Sequence, residues 1–197
     1  MKNKLLIVVV VLLVLAIGAG IGVFLSKGEK EKGPGSVYGP EAKKEGARLE
    51  KESFSINMPE GWSEMGAPTG ISAMVVNASE EITDSAAQKI NFRTYFSVVF
   101  DKLNEKSKEE YVQYAKNALS QNVPGIIISH EEKGKIDNKD AYFIETELNQ
   151  RDADFKVLIA IITGEQDIWA ISFNTVVSNW EKYKDLFYQT ARSFKMH

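Results

Sequence analysis

No cysteine occurs in the 197 residues. Composition alone therefore excludes disulfides, thiolate metal sites, thiol nucleophiles and a lipid anchor attached through cysteine. Histidine is nearly as scarce, with only His130 and His197. Two imidazoles make no conventional three-ligand zinc site without carboxylate help. His130 beside Glu131 and Glu132 is the one such grouping, and it otherwise reads as a strand end at the surface. Basic charge is short as well: beyond Leu49, 16 Lys and Arg stand against 23 Asp and Glu, a formal charge of −7. An acidic domain repels phosphate backbones, so nucleic acid is not an expected partner. No Gly-x-Ser-x-Gly elbow and no glycine-rich phosphate loop is present. The only glycine series, Gly18-x-Gly20-x-Gly22, lies inside an apolar run.

That run is the strongest feature present. Leu5 to Leu25 is 21 residues without a charge. At about 1.5 Å per residue it makes roughly 31 Å of helix, enough for a hydrocarbon core of about 30 Å. The competing reading is a cleaved signal peptide, with Lys2 and Lys4 as its basic region and Ala16-Ile17-Gly18 imitating a cleavage site. The apolar stretch is too long for that, and an uncleaved signal-anchor is expected. A four-residue head at 1–4 is easier to leave in the cytoplasm than a folded domain, which places the C-terminal part outside. Residues 26–49 are polar, charged and broken by Gly33-Pro34-Gly35 and Gly39-Pro40, as in a flexible stalk. Glu41 to Arg48 has the composition of a short helix as an alternative.

Residues 50–197 are ample for one core. Phe54, Ile56 and Met58 alternate with polar residues as in a half-buried strand, which Pro59 ends. Ile71 to Asn77 predicts a second strand. Phe92 to Phe100 predicts a third, with Phe92, Thr94, Phe96, Val98 and Phe100 on one face. Ser107-Lys-Glu-Glu110 has capping-box spacing and opens an amphipathic helix of about 14 residues. Ile126 to His130, Ala141 to Leu148, Phe155 to Thr163 and Ile168 to Phe173 follow as strands with short loops, which demands antiparallel neighbours. Both faces of Phe155–Ile162 are apolar but for Lys156, so this strand is central. Ser178-Asn-Trp-Glu181 repeats the capping-box spacing before a stripe of Tyr183, Phe187, Thr190, Ala191 and Phe194. The fold class is α+β, an antiparallel β-sheet with packed α-helices, preceded by one transmembrane helix.

Chemistry-bearing residues are few. Glu145 and Glu147 share one strand face, and paired carboxylates can do acid–base work or bind calcium with Asp152 and Asp154. Next to Lys156 and an acidic loop, they are expected to be exposed and to share no cleft. Asp137-Asn138-Lys139-Asp140 lacks the glycine and terminal glutamate of a calcium loop and reads as a turn. Asn77-Ala-Ser79 is a glycosylation sequon. Trp169 alternates with Ile171 and Phe173 as core, whereas Trp62 and Trp180 are the candidates for an exposed aromatic partner surface. No catalytic residue, cofactor or metal ligand is assigned. The expected function is a membrane-anchored extracytoplasmic domain that binds a protein or envelope component and touches lipid through its N-terminal helix. A carboxylate- or metal-dependent hydrolase and a small-ligand sensor or carrier are the alternatives.

The order of elements resembles the PsbP/Mog1-like domain family over about residues 50–196. The resemblance rests on Phe54-Ser-Ile-Asn-Met-Pro-Glu-Gly-Trp62, the Ser107-Lys-Glu-Glu-Tyr111 helix and the meander through Ala141-Tyr-Phe-Ile144, Phe155–Ile162 and Trp169–Phe173. Asp185-Leu-Phe-Tyr-Gln-Thr-Ala-Arg-Ser-Phe194 closes it. It implies a binding scaffold with no catalytic motif to carry over. Plant and cyanobacterial members are similar to photosystem II accessory subunits, and Mog1 members bind a small GTPase. A stalked membrane anchor departs from a lumenal targeting sequence, which speaks against a photosystem role.

Overall fold

The computed structural model describes residues 47–197. The anchor, head and most of the expected stalk lie outside the described residues. Among the described residues no helix is long and apolar enough to cross a membrane.

Two short strands open the domain, β1 (Arg48–Glu50) and β2 (Phe54–Asn57). Arg48 and Leu49, assigned above to the stalk, are thus part of a strand. Next come β3 (Ser63–Met65), β4 (Ala73–Val76), α1 (Ser85–Lys89) and β5 (Tyr95–Lys102). Helix α2 (Lys108–Asn122) leads into four long strands: β6 (Ile127–Ile136), β7 (Lys139–Gln150), β8 (Ala153–Thr163) and β9 (Asp167–Val176). A 3-10 turn at Val177–Asn179 feeds α3 (Trp180–Arg192), and β10 (Lys195–Met196) ends the chain. All pairings are antiparallel: β1-β2-β10 in a small sheet and β3-β4-β5-β9-β8-β7-β6 in a large one.

Helix α2 starts as its sequence requires, because both arms of the Ser107–Glu110 capping box form. Its apolar stripe of Tyr111, Val112, Ala115 and Leu119 packs on Tyr142, Ile144, Val157 and Ile159 of the large sheet. On the opposite face, Trp180, Tyr183, Phe187 and Ala191 of α3 pack with Phe54 and Ile56 of the small sheet over Phe96, Leu158, Ile162 and Phe173. The central strand β8 is buried on both faces from Val157 to Thr163, as its two apolar rows predict. Trp169 is core, with its ring 5.0 Å from Phe54 and 5.6 Å from Phe194.

Several expectations are corrected. Phe92 lies before β5, not in it: Asn91 turns the chain at φ 52°, and the Phe92 ring sinks into the α2 side against Phe155. Strand β6 runs on through Glu131-Glu-Lys-Gly-Lys135 because it is an edge, where polar side chains face water. Asn179, not Ser178, precedes α3, and it makes no side-chain cap. The six-residue loop expected at Asn149–Asp154 is a two-residue turn, Arg151-Asp152, with both φ values positive. Asp137-Asn138 makes the same kind of turn between β6 and β7.

Candidate functional site

Strand spacing brings Phe143, Glu145 and Glu147 to the α3 face of β7, as the period of two requires. Residues 184, 188 and 192 are one turn apart on α3, so Lys184, Tyr188 and Arg192 form a row beside its apolar stripe. Packing the helix on the sheet sets this row over Glu145. Between them lies a cleft of about 270 Å³, lined also by His130 and Glu132 of β6 and by Asp185.

Glu145 is only 3% exposed, which corrects the expectation of a wet sheet edge. Its burial is offset by partners. The Tyr188 hydroxyl donates to Oε1 at 3.0 Å, Lys184 Nζ stands 3.6 Å from the same oxygen, and Lys156 Nζ stands 3.5 Å from Oε2. Lys156 donates more closely to Glu147 Oε1, at 2.9 Å, and its ammonium lies 4.8 Å from the Trp180 ring centroid. Glu147 itself is far more open, with 42% of its side chain exposed, and it does not line the cleft. The two acids therefore share a lysine and no cavity. Burial pulls the Lys156 ammonium down, yet the hydrogen bond and charge of Glu147, with the charge of Glu145, hold it above its ordinary value. Burial, then the bond to Glu145, pushes the Tyr188 hydroxyl up. At the mouth, Arg192 donates to Glu132 at 3.2 Å and stacks 5.4 Å from Phe143 and 5.3 Å from Tyr188. His130 Nε2 is 3.8 Å from Glu132.

A second buried acid was not legible in the sequence. Glu80 is 6% exposed and accepts from the Thr94 N–H at 2.7 Å and from Asn179 Nδ2 at 3.1 Å. It ties the loop after β4 to the start of α3. In the same region Asn77 of the sequon donates to the Tyr183 hydroxyl at 3.1 Å and accepts from Ser79.

The tryptophans lie elsewhere than proposed. Trp62 is 8% exposed, against Phe96, Tyr183 and Phe187, and Trp180 is 4% exposed beside Phe187. Neither offers an open aromatic face; each closes the core beneath α3. Asp152 and Asp154 are exposed at the β7–β8 turn, far along the strands from the cleft. Among the described residues no three His, Asp or Glu side chains gather as metal ligands would. The row Lys184, Tyr188, Arg192 was readable in principle from its four-residue spacing, but its target on β7 was not.

The chain matches the PsbP family model over residues 48–196. No curated protein sequence matches it. Among solved structures, it is similar to cyanobacterial PsbP (CyanoP) from Synechocystis sp. PCC 6803, with TM-score 0.57, 19% identity and coverage of 83% of this chain and 98% of that one. It is also similar to LpqN of Mycobacterium tuberculosis, described as involved in cell envelope biogenesis, with TM-score 0.59, 11% identity and coverage of 78% and 86%. A Pseudomonas aeruginosa protein of unknown function, PA94, gives TM-score 0.53 at 11% identity, covering 75% of this chain and 94% of that one.

Proposed function

The chain belongs to the PsbP family, and from that premise we propose that it is an accessory domain, held outside the cytoplasm by an N-terminal membrane helix, that binds a protein or an envelope component. The observation that carries this reading is the pairing inside the cleft under α3. Glu145 has both oxygens engaged, Lys156 is held between two acids, and Arg192 is bound to Glu132. General acid–base work calls for a group free to exchange its proton with a substrate. Here the buried acid is neutralised from within, and what faces solvent is a shaped, polar, charged surface. Such a surface suits recognition, where charge complementarity gives specificity. The fold shared with LpqN agrees with an envelope setting, and the uncharged run Leu5–Leu25 supplies the tether.

The test is in situ crosslinking of intact cells followed by recovery of the full-length chain from the membrane fraction. The chain is expected in the carbonate-washed pellet, cleaved by external protease, and crosslinked to a discrete partner. Replacing Lys184 and Arg192 together with Glu should abolish that crosslink. A protein released by carbonate, or one protected from external protease, would overturn the placement. A crosslink unaffected by the double replacement would overturn the assignment of the surface.

A further inference from the structure

The two faces of the large sheet differ in how they treat buried polar side chains. On the α3 face these have partners: Glu145 accepts from Tyr188, and the Thr94 and Thr175 hydroxyls share a hydrogen bond at 2.9 Å. On the α2 face five buried side-chain atoms find no hydrogen-bond partner among the described residues. They are Tyr95 Oη, Ser97 Oγ, Thr146 Oγ1, Gln150 Oε1 and Asn174 Oδ1. Strand alternation puts all five on that face, in step with Ile144 and Leu148 of β7 and Val176 of β9.

The register gathers three of the five. Across the β5–β9 pair Tyr95 lies opposite Asn174, and Ser97 lies opposite Ser172. These four side chains form a square, two residues along each strand and one strand spacing across, about 6.6 Å by 4.8 Å. Each is no more than 1% exposed. Within the square Asn174 Nδ2 donates to the Ser172 hydroxyl at 3.0 Å and to the Ser172 carbonyl at 3.1 Å, which uses both its protons. What remains is the Asn174 carbonyl oxygen, which only accepts, and three hydroxyls that can each still donate.

An unpaired polar atom in an apolar interior costs more than a typical hydrogen bond contributes. Three in one place would consume a large share of a domain's narrow margin of stability. The square therefore calls for a guest, and its chemistry limits which. None of the four side chains is charged, so an ion would lie there without a counter-charge. Val157 and Ile159 of β8 stand beside Asn174 and Ser172, and the apolar stripe of α2 packs on them, so a bulky molecule would have to lift the helix. Water suits the square. It has two protons and two lone pairs to match one acceptor and several hydroxyls, and it finds there the three or so partners that internal waters have. We infer that the β5–β9 square binds internal water, at least one molecule, held by Ser97, Asn174 and the Ser172 hydroxyl and reached by Tyr95, as a fixed part of the core under α2. The site lies on the opposite face of the sheet from the cleft over Glu145 and does not depend on the partner proposed above.

The experiment is NMR on the full chain, deuterated, in detergent. Strands β5 and β9 are interior to the sheet, so the amides of Ser97, Ser172 and Asn174 are paired and exchange slowly. Cross-peaks between these amides and the water line then report contact rather than exchange. They should be present, with the sign of a water that leaves slowly. Tyr95→Phe and Ser97→Ala each remove one oxygen and little else. Each should weaken those cross-peaks and lower the melting temperature by about 2–4 °C. Absence of the cross-peaks from the unsubstituted chain overturns the site, whether or not the variants fold. A melting temperature unchanged or raised by either variant also overturns it, because deleting an oxygen that is truly unpaired relieves a cost. A mass increment that native mass spectrometry finds on the folded chain, and that the two substitutions together remove, gives the square to an organic guest and likewise overturns the inference.

Discussion

A carboxylate 3% exposed survives in a core only where donors surround it. For Glu145 those donors come from β8 and from α3, and Tyr188 is 43 residues away in sequence. Glu145→Ala should destabilise the domain by about 1–3 kcal/mol, since it leaves the buried Tyr188 hydroxyl without its acceptor, while Lys156 keeps Glu147 and Lys184 keeps water. Glu145→Gln should cost clearly less, because the amide oxygen still accepts from Tyr188. Urea unfolding of the full chain in detergent reads both, and equal losses would show that the charge of Glu145 is what Tyr188 and the lysines need. Period-two spacing made it legible that Glu145 and Glu147 share a face. That one is buried and the other open was not legible, because it depends on where α3 lies across the sheet. The same reason buried Trp62 and Trp180, which local sequence offered as an exposed aromatic pair.

Among the elements, those with strong local signals were readable and those defined by their neighbours were not. Helix α2 announced itself through Ser107 and Glu110, and β8 through its two apolar rows. Strand β6 carries few apolar residues, and only pairing with β7 extends it to Ile136. The β7–β8 turn hides its type as well. Arg151 and Asp152 hold φ values of 53° and 65°, a left-handed conformation that glycine adopts without cost to its side chain. Asp152→Gly should therefore stabilise the domain by about 1 kcal/mol, measured as a raised urea midpoint with an unchanged slope. At the start of α2 the reverse applies. Its hydrogen bonds to Ser107 hold Glu110 below the usual carboxylate range. That stabilisation is present above the unfolded value and lost as pH falls through the folded one. Amide protection in the first turn of α2, taken relative to the intrinsic exchange rate at each pH, should fall on acidification, and Ser107→Ala should remove the effect.

For the molecule as a whole, titration points the other way. Tyr188 and Lys156 hold their protons more tightly in the folded chain than at their ordinary values of 10.0 and 10.5. Burial raises Tyr95 and Tyr111 as well, with Asp101 adding to the effect on Tyr111. A raised folded value means stability that is full below the unfolded value and lost as pH rises through the folded one. The domain should keep its melting temperature through neutral pH and lose it steadily above about pH 10. The α+β class, the antiparallel order and the two-sided burial of β8 could be read from alternation and loop length. The division of labour between the faces, with α2 on one and α3 plus the small sheet on the other, required the packed structure.

That small sheet also fixes how the chain meets its own ends. Strands β1 and β10 flank the four-residue β2, and the His197 N–H reaches the Ser53 carbonyl at 3.1 Å. Two strand spacings separate the first described strand from the last, about 10 Å. A linker of a few residues would join His197 to Ala47, and the exposed Asp137-Asn138 turn offers a place to open the chain instead. Such a circular permutant keeps every strand pair, so the domain should fold whichever end is tethered. A tether fused after His197 would therefore leave the domain within about 10 Å of where one fused before Ala47 does.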